Sequence, residues 1–377
     1  MVITVTEYGV GIIGMGFMGK THTFAHKALP FYYPNLPYKT KLVGVCNRSA
    51  GAAEYARDSL GFEYATQNED EIFNDERIRL VHICTPNACH FEQAKKALAA
   101  GKHVYCDKPL TVTAEEADTL AAAADASGLT AQVAFQNRFF PATLRARQLV
   151  EEGRLGDILC FRSEYLHSGA VDPDKPVGWK QTESGGVLRD LGSHAIDLVY
   201  SLVGAFDSVF CTRRVLYPNR PDKDGTMHTI TAEDHVTMLL TLPGGATGTI
   251  EASKIATGID DELRFEIHGT KGAIRFNLMQ PNTLWFYDNT KPEAVYGGER
   301  GFTALECTAR YAPPGNVFPS QKNGVGWIRA HCHSLYTFVD NVHHGRAGTP
   351  SFADGAYIQR VMERALESAE SGRTERI

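Results

Sequence analysis

The sequence has no run of the roughly 18 to 20 apolar residues that a membrane-spanning helix requires. Residues 1–7 are short and polar, and the first apolar stretch is broken by Gly11, Gly14, Gly16 and Gly19, so no secretory signal is expected there. Paired cysteines are also missing. The eight cysteines lie at 46, 84, 89, 106, 160, 211, 307 and 332, with none of the short spacings of a disulfide framework. They read as reduced, buried small hydrophobes, and a cytoplasmic setting is expected. There is no basic excess: 38 Lys and Arg face 44 Asp and Glu, a net charge of -6 with no clustered basic run. That excludes a dedicated nucleic-acid binder, which needs a basic face to neutralise phosphates. No G-x-S-x-G elbow, internal repeat or low-complexity tract occurs. His331-Cys332-His333 lacks further ligands at zinc spacing, so no metal is expected.

What is present fits two ordinary domains in 377 residues. In the first third, short apolar runs at 8–13, 41–46, 80–84, 103–106 and 130–135 alternate with helical segments at 17–29, 50–60, 91–100 and 114–127. That alternation predicts an α/β, doubly wound parallel sheet. From about residue 137 the rhythm changes. After a helix at 142–152, strand runs follow at 159–167, 208–216, 235–242, 246–256, 263–268 and 272–277, interrupted only by a helix at about 186–202. Strands in series predict an α+β domain with an open, mostly antiparallel sheet, and helices at 328–343 and 353–372 close the chain. The expected division is residues 1–136 and 137–377. One segment stands apart: residues 30–39 hold three prolines and four aromatics. They fit either a loop packing its own rings or a lining for a sugar.

Gly14-Met15-Gly16-Phe17-Met18-Gly19 follows a strand and opens a helix, which predicts a dinucleotide site. Glycines allow the tight turn and close backbone approach, and the helix offers its N-terminal amides to a pyrophosphate. The second strand ends Cys46-Asn47-Arg48-Ser49 where an acid for the ribose is usual. Asn47 suits a 2′-hydroxyl and Arg48 a 2′-phosphate, so NAD and NADP both stay open, with a slight lean to NAD. Thr85-Pro86-Asn87 and Cys106-Asp107-Lys108-Pro109 each follow a strand, on the rim where parallel sheets bind ligands. In the second domain Asp190 and His194 are four apart, which stacks them on one face of a regular helix. A carboxylate beside an imidazole suits general acid–base work, although the same spacing also serves a simple helix-face ion pair.

These motifs together, with His90 after the Thr-Pro-Asn turn and the pair Gly185-Gly186, resemble the glucose–fructose oxidoreductase / inositol dehydrogenase / rhizopine-catabolism (Gfo/Idh/MocA) family along essentially the whole chain. Asp107 stands where that family usually carries Glu. Trp179-Lys180 and the aromatic insert resemble its levoglucosan-dehydrogenase-like and glycoside 3-dehydrogenase-like members. The resemblance implies a Rossmann domain, an open-sheet domain that builds homodimers or homotetramers, and dehydrogenation of a sugar or polyol with NAD or NADP. It implies coenzyme contacts from Gly14, Gly16, Phe17, Met18, Gly19, Asn47, Arg48, Thr85, Pro86, Asn87, His90, Lys108 and Gln136. It implies substrate contacts from Lys108, Arg138, Tyr165, Trp179, Asp190 and His194, with His194 as general base, Lys108 on the alkoxide and Asp190 fixing the hydroxyl or the imidazole. Two alternatives remain: a dinucleotide-sensing regulator, expected to lose the lysine or histidine, and a glycosidase acting through transient oxidation.

Overall fold

The strands of the first third are apolar on both faces, and only a sheet covered on both sides tolerates that. In the computed structural model, which describes residues 5–182 and 184–377, β1 (Thr6–Ile13), β2 (Tyr38–Cys46), β3 (Tyr64–Thr66), β4 (Ile78–Ile83), β5 (His103–Cys106) and β6 (Ala131–Val133) alternate with α1 (Phe17–Tyr32), α2 (Ala50–Leu60), α3 (Glu69–Asn74), α4 (Asn87–Ala99) and α5 (Ala114–Ser127). The strands pair in parallel in the order β3-β2-β1-β4-β5-β6. The order reverses between β1 and β4, and their carboxyl ends flank the crevice where such sheets take their ligands.

The rest of the chain supplies α6 (Pro141–Glu151), β7 (Ile158–Leu166), a π-helical turn (Leu188–Gly192) running into α7 (Ser193–Val203), then β8 (Ser208–Arg214), a small ribbon of β9 (Asn219–Pro221) and β10 (Met227–Thr229), β11 (His235–Thr241), β12 (Thr247–Ser253), β13 (Glu262–Gly269), β14 (Gly272–Asn277), β15 (Thr283–Asp288) and β16 (Phe302–Glu306). It ends in α8 (Trp327–His343), α9 (Phe352–Ser371) and β17 (Glu375–Arg376). Nine of these strands form one sheet in the order β16-β15-β14-β13-β7-β12-β11-β8-β17, antiparallel except where β7 meets β12. The expected fold class, α/β followed by an open and mostly antiparallel sheet, is the one found. Helix α7 lies on β7 and β12, and α6 on β14 and β15.

Two compact units emerge, and they do not follow a single cut of the chain. The first break falls after Gln136, but Tyr311–Gln321 and Gly326–Gln359 return to the N-terminal unit, so a C-terminal domain running unbroken over 137–377 is corrected. The physical reason is the core. Cys332, Leu335, Phe338, Val339 and Val342 of α8 share one buried cluster with Val10, Ile12, Leu80 and Tyr105 of the parallel sheet. The Tyr105 hydroxyl also meets Ser334 Oγ at 2.7 Å, and Gln132 Nε2 donates to the Ser334 carbonyl.

The proline-rich insert belongs to the same packing. Helix α1 runs through Pro30 to Tyr32. Tyr33 is buried, stacked on Tyr336 with ring centroids 4.0 Å apart, and its hydroxyl lies 2.6 Å from His333 Nδ1. Tyr38 donates to Asp340. Of the two readings of this insert, ring packing is the one the structure displays.

Candidate functional site

The nucleotide half of the site is built by β1, the turn after it and the first turn of α1. Gly14 has φ of +93°, and a Cβ there would meet the Cys84 carbonyl oxygen at 2.5 Å, so only glycine brings β1 and β4 this close. Gly16 faces open space and caps α1 without a side-chain bond, and no acid occupies the first turn of that helix. The amides are therefore left for an anion, and this cradle fits a dinucleotide pyrophosphate. Phe17 is exposed, its ring 5.5 Å from that of Trp327, and Met18 is half-buried.

The rim residues have more structural duties than their sequence suggested. His90 is buried, with Nδ1 2.9 Å from the Pro109 carbonyl and Nε2 2.9 Å from the Thr85 carbonyl. It bridges the Thr85-Pro86-Asn87 turn and the Lys108-Pro109 turn, so the residue expected at the coenzyme also supports the rim. The Thr85 hydroxyl donates to Gln93 Oε1. Pro86 caps α4, Asn87 is buried in its first turn, and Gln136 is buried in the short turn after β6. Asp107 Oδ1 accepts the Lys108 N–H at 2.9 Å, so the shorter acid still holds the turn, and Lys108 is half-buried at its apex.

The acid–base half lies in the second unit. The Gly186 N–H donates to the Lys180 carbonyl at 2.9 Å, and a Cβ on Gly186, whose φ is +91°, would strike the Glu233 carboxylate at 2.3 Å. Glu233 Oε1 in turn accepts the Leu188 N–H. The glycine pair thus seats the π-helical turn that carries Asp190. The Ser193 N–H reaches back to the Leu188 carbonyl, five residues earlier, so the regular-helix stacking expected for Asp190 and His194 is replaced by a wider turn. Asp190 faces two ammonium groups, Lys180 Nζ at 2.9 Å and Lys254 Nζ at 3.0 Å. Lys254 was not foreseen; it follows β12, and nothing local in sequence ties it to Asp190.

His194 is 5% exposed and its ring centroid lies 5.7 Å from that of Tyr165. Burial, together with its hydrogen bond to Asp261, holds the Tyr165 phenol well above its usual range. His167, also unforeseen, is pushed down to about 4 by burial and the Lys254 charge, with Asp190 opposing. Trp179 is 41% exposed, with Lys180 Nζ over its ring. Arg138 donates from Nε and Nη2 to Asp197, whose side chain is only 1% exposed. This ion pair ties Arg138 to α7.

A family model described as an oxidoreductase family with an NAD-binding Rossmann fold matches residues 8–135, and one for the GFO/IDH/MocA C-terminal domain matches residues 143–275. The chain belongs to the GFO/IDH/MocA oxidoreductase family. Within it, a levoglucosan dehydrogenase of Pseudarthrobacter phenanthrenivorans is 34% identical over 96% of this chain and 95% of its own. A levoglucosan dehydrogenase solved with NADH and L-sorbose superposes with a TM-score of 0.94 at 31% identity, covering 99% of each chain. An oxidoreductase domain protein from Kribbella flavida gives the same TM-score at 32% identity, covering 99% of this chain and all of its own. The glycine turn, the Lys108 rim and the π-helical turn thus belong to a nicotinamide-dependent oxidoreductase of this family. Among the described residues no helix is long and apolar enough to cross a membrane, and all eight cysteines are free thiols.

Proposed function

We propose that the protein dehydrogenates a secondary alcohol of a carbohydrate or polyol. The observation that carries the reading is Asp190 clamped by two lysines on the turn that leads to the buried His194. Full-length likeness to levoglucosan dehydrogenases supports the sugar class. Bound nicotinamide supplies the hydride acceptor. His194 takes the proton of the reacting hydroxyl, as an imidazole does near neutral pH. Lys108 presents its ammonium to the oxygen on which negative charge grows. Asp190, facing two cations, stays an acceptor that orients the hydroxyl or the imidazole rather than the base itself. Trp179 and Tyr165 supply ring faces for the apolar side of a sugar.

The test is the near-ultraviolet absorbance of reduced nicotinamide across a panel of sugars, anhydrosugars and polyols, with NAD and NADP run separately. Coenzyme reduction by at least one neutral carbohydrate, lost in Lys108→Ala and His194→Ala, is expected. Silence across the panel with tight coenzyme binding would point to a sensor instead, and aglycone release without net reduction to a glycosidase. The row Leu239, Thr249, Arg162, Glu266, Arg275 and Trp285 crosses neighbouring strands of the second unit's sheet in register, exposed at every position except the half-buried Glu266. We propose this face for homo-oligomer contacts, and Trp285→Glu should lower the mass measured by sedimentation.

A further inference from the structure

The carboxyl end of β2 is the place where a sheet of this order meets the adenosine ribose. There the chain carries Asn47, Arg48 and Ser49, with no carboxylate among them. Asn47 Oδ1 accepts the Met15 N–H at 2.9 Å, and its Nδ2 donates to the Ser49 carbonyl at 3.2 Å. One of that oxygen's two lone pairs thus holds the glycine turn against β2. Asn47 builds the turn, and it brings no charge that repels a phosphate.

Arg48 is held by its backbone: Gln67 Nε2 donates to its carbonyl at 2.7 Å. Its side chain is exposed, and among the described residues its guanidinium makes no ion pair or hydrogen bond. Its charge is felt at Cys89 in the first turn of α4, where it opposes the burial and the Glu69 charge that raise that thiol. Glu69 is itself answered by Gln93 at 2.6 Å and Lys96 at 2.9 Å, so it leaves Arg48 unclaimed. Ser49 stands at the N-cap of α2 without a side-chain cap bond, and the first turn of that helix has no acid. An exposed guanidinium, a hydroxyl without a cap bond and an acid-free helix start thus follow one another directly after β2, at the end of the sheet that faces a ribose 2′-position.

We propose that the chain selects NADP(H), with Arg48 as the side chain that grips the 2′-phosphate and Ser49 as a second donor. The proposal rests on the dehydrogenase reading above. A planar guanidinium matches a phosphate through paired N–H donors, and an ordinary ribose offers it no comparable acceptor.

The test needs no substrate. The purified protein is titrated with NADPH and with NADH, and binding is followed by nicotinamide fluorescence. NADPH is expected to bind more tightly. Arg48→Ala is expected to weaken NADPH roughly ten- to hundredfold, the loss of one charge-assisted contact, while shifting NADH far less. Arg48→Lys should recover part of the loss, and NADPH affinity should fall more steeply with added salt. Tighter binding of NADH by the native protein, or equal weakening of both coenzymes by Arg48→Ala, overturns this proposal alone. Binding of neither overturns it together with the dehydrogenase reading.

Discussion

Of the two ammonium groups on Asp190, that of Lys254 belongs to a side chain 7% exposed and that of Lys180 to one 47% exposed. Exposure decides their worth. A pair that water reaches contributes about 0–1 kcal/mol, whereas stripping one partner from a buried pair costs about 3–5 kcal/mol. Lys254→Met is therefore expected to lower kcat/KM on the order of a hundredfold or more, and Lys180→Ala by less than about tenfold. Equal losses in steady-state kinetics would show that the clamp is not what holds Asp190. His90 makes a second case. A neutral imidazole has one N–H, so His90→Ala costs the Thr85 or the Pro109 carbonyl its hydrogen bond, at about 1–3 kcal/mol. A lower urea midpoint accompanied by weaker coenzyme binding is expected; unchanged coenzyme affinity would limit His90 to stability. The sequence carried Asp190 and His194 through their spacing and Lys108 through its place after a strand. It could not carry Lys254 or His167, because what makes them neighbours of Asp190 is the return of β12 beside β7, a tertiary event. The Arg138 ion pair was hidden for the same reason: only the fold brings Asp197 onto its guanidinium.

At the scale of elements, the parallel sheet was readable because strands buried on both faces are bare apolar runs. The two elements missed there, β3 and α3, span three and six residues, too short to show a period. The π-helical turn was unreadable as well, since its cause is the Glu233 carboxylate and a glycine pair rather than any local preference. A different consequence follows from how α1, β4 and α8 pack. His22 and His26 of α1, His82 of β4 and His331 of α8 are buried around one another and around Tyr105. His26 Nε2 lies 2.9 Å from His82 Nε2, and His82 Nδ1 lies 3.2 Å from His22 Nδ1. Burial holds His22 down to about 4 against the Asp107 charge, and burial with the His22 charge holds His26 down to about 3. Folded values below the ordinary 6.5 mean that the unfolded chain takes up protons first. Stability from these groups is complete above about pH 6.5 and lost as pH falls toward 4 and 3, at about 1.4 kcal/mol per pH unit for each histidine. Urea unfolding measured between pH 7 and pH 5 should show that decline, and His26→Gln should make it shallower. A flat profile would mean that the cluster admits water or protons without opening.

At the scale of the whole molecule, the return of the chain to its first unit sets what can fold alone. The match to the NAD-binding family description ends at residue 135, which invites a cut there. The core argues against it. Leu335, Phe338, Val339 and Val342 of α8 complete the cluster around Val10, Ile12, Leu29 and Tyr105, and each such side chain contributes about 1.5–3 kcal/mol on burial. Together they rival the roughly 5–15 kcal/mol that separates a folded domain from its unfolded chain. Without α8, Tyr33 also loses its contact with Arg329, and Gln132 and Tyr105 lose Ser334. A fragment of residues 1–136 is therefore expected to show no cooperative unfolding and no dinucleotide binding. The same fragment joined through a flexible linker to residues 311–359 should recover both, because that addition restores the missing core and its buried hydrogen bonds. Circular dichroism during thermal melting and nicotinamide fluorescence read the two outcomes separately. A short fragment that melts cooperatively and binds coenzyme would show that α8 covers a core already stable without it.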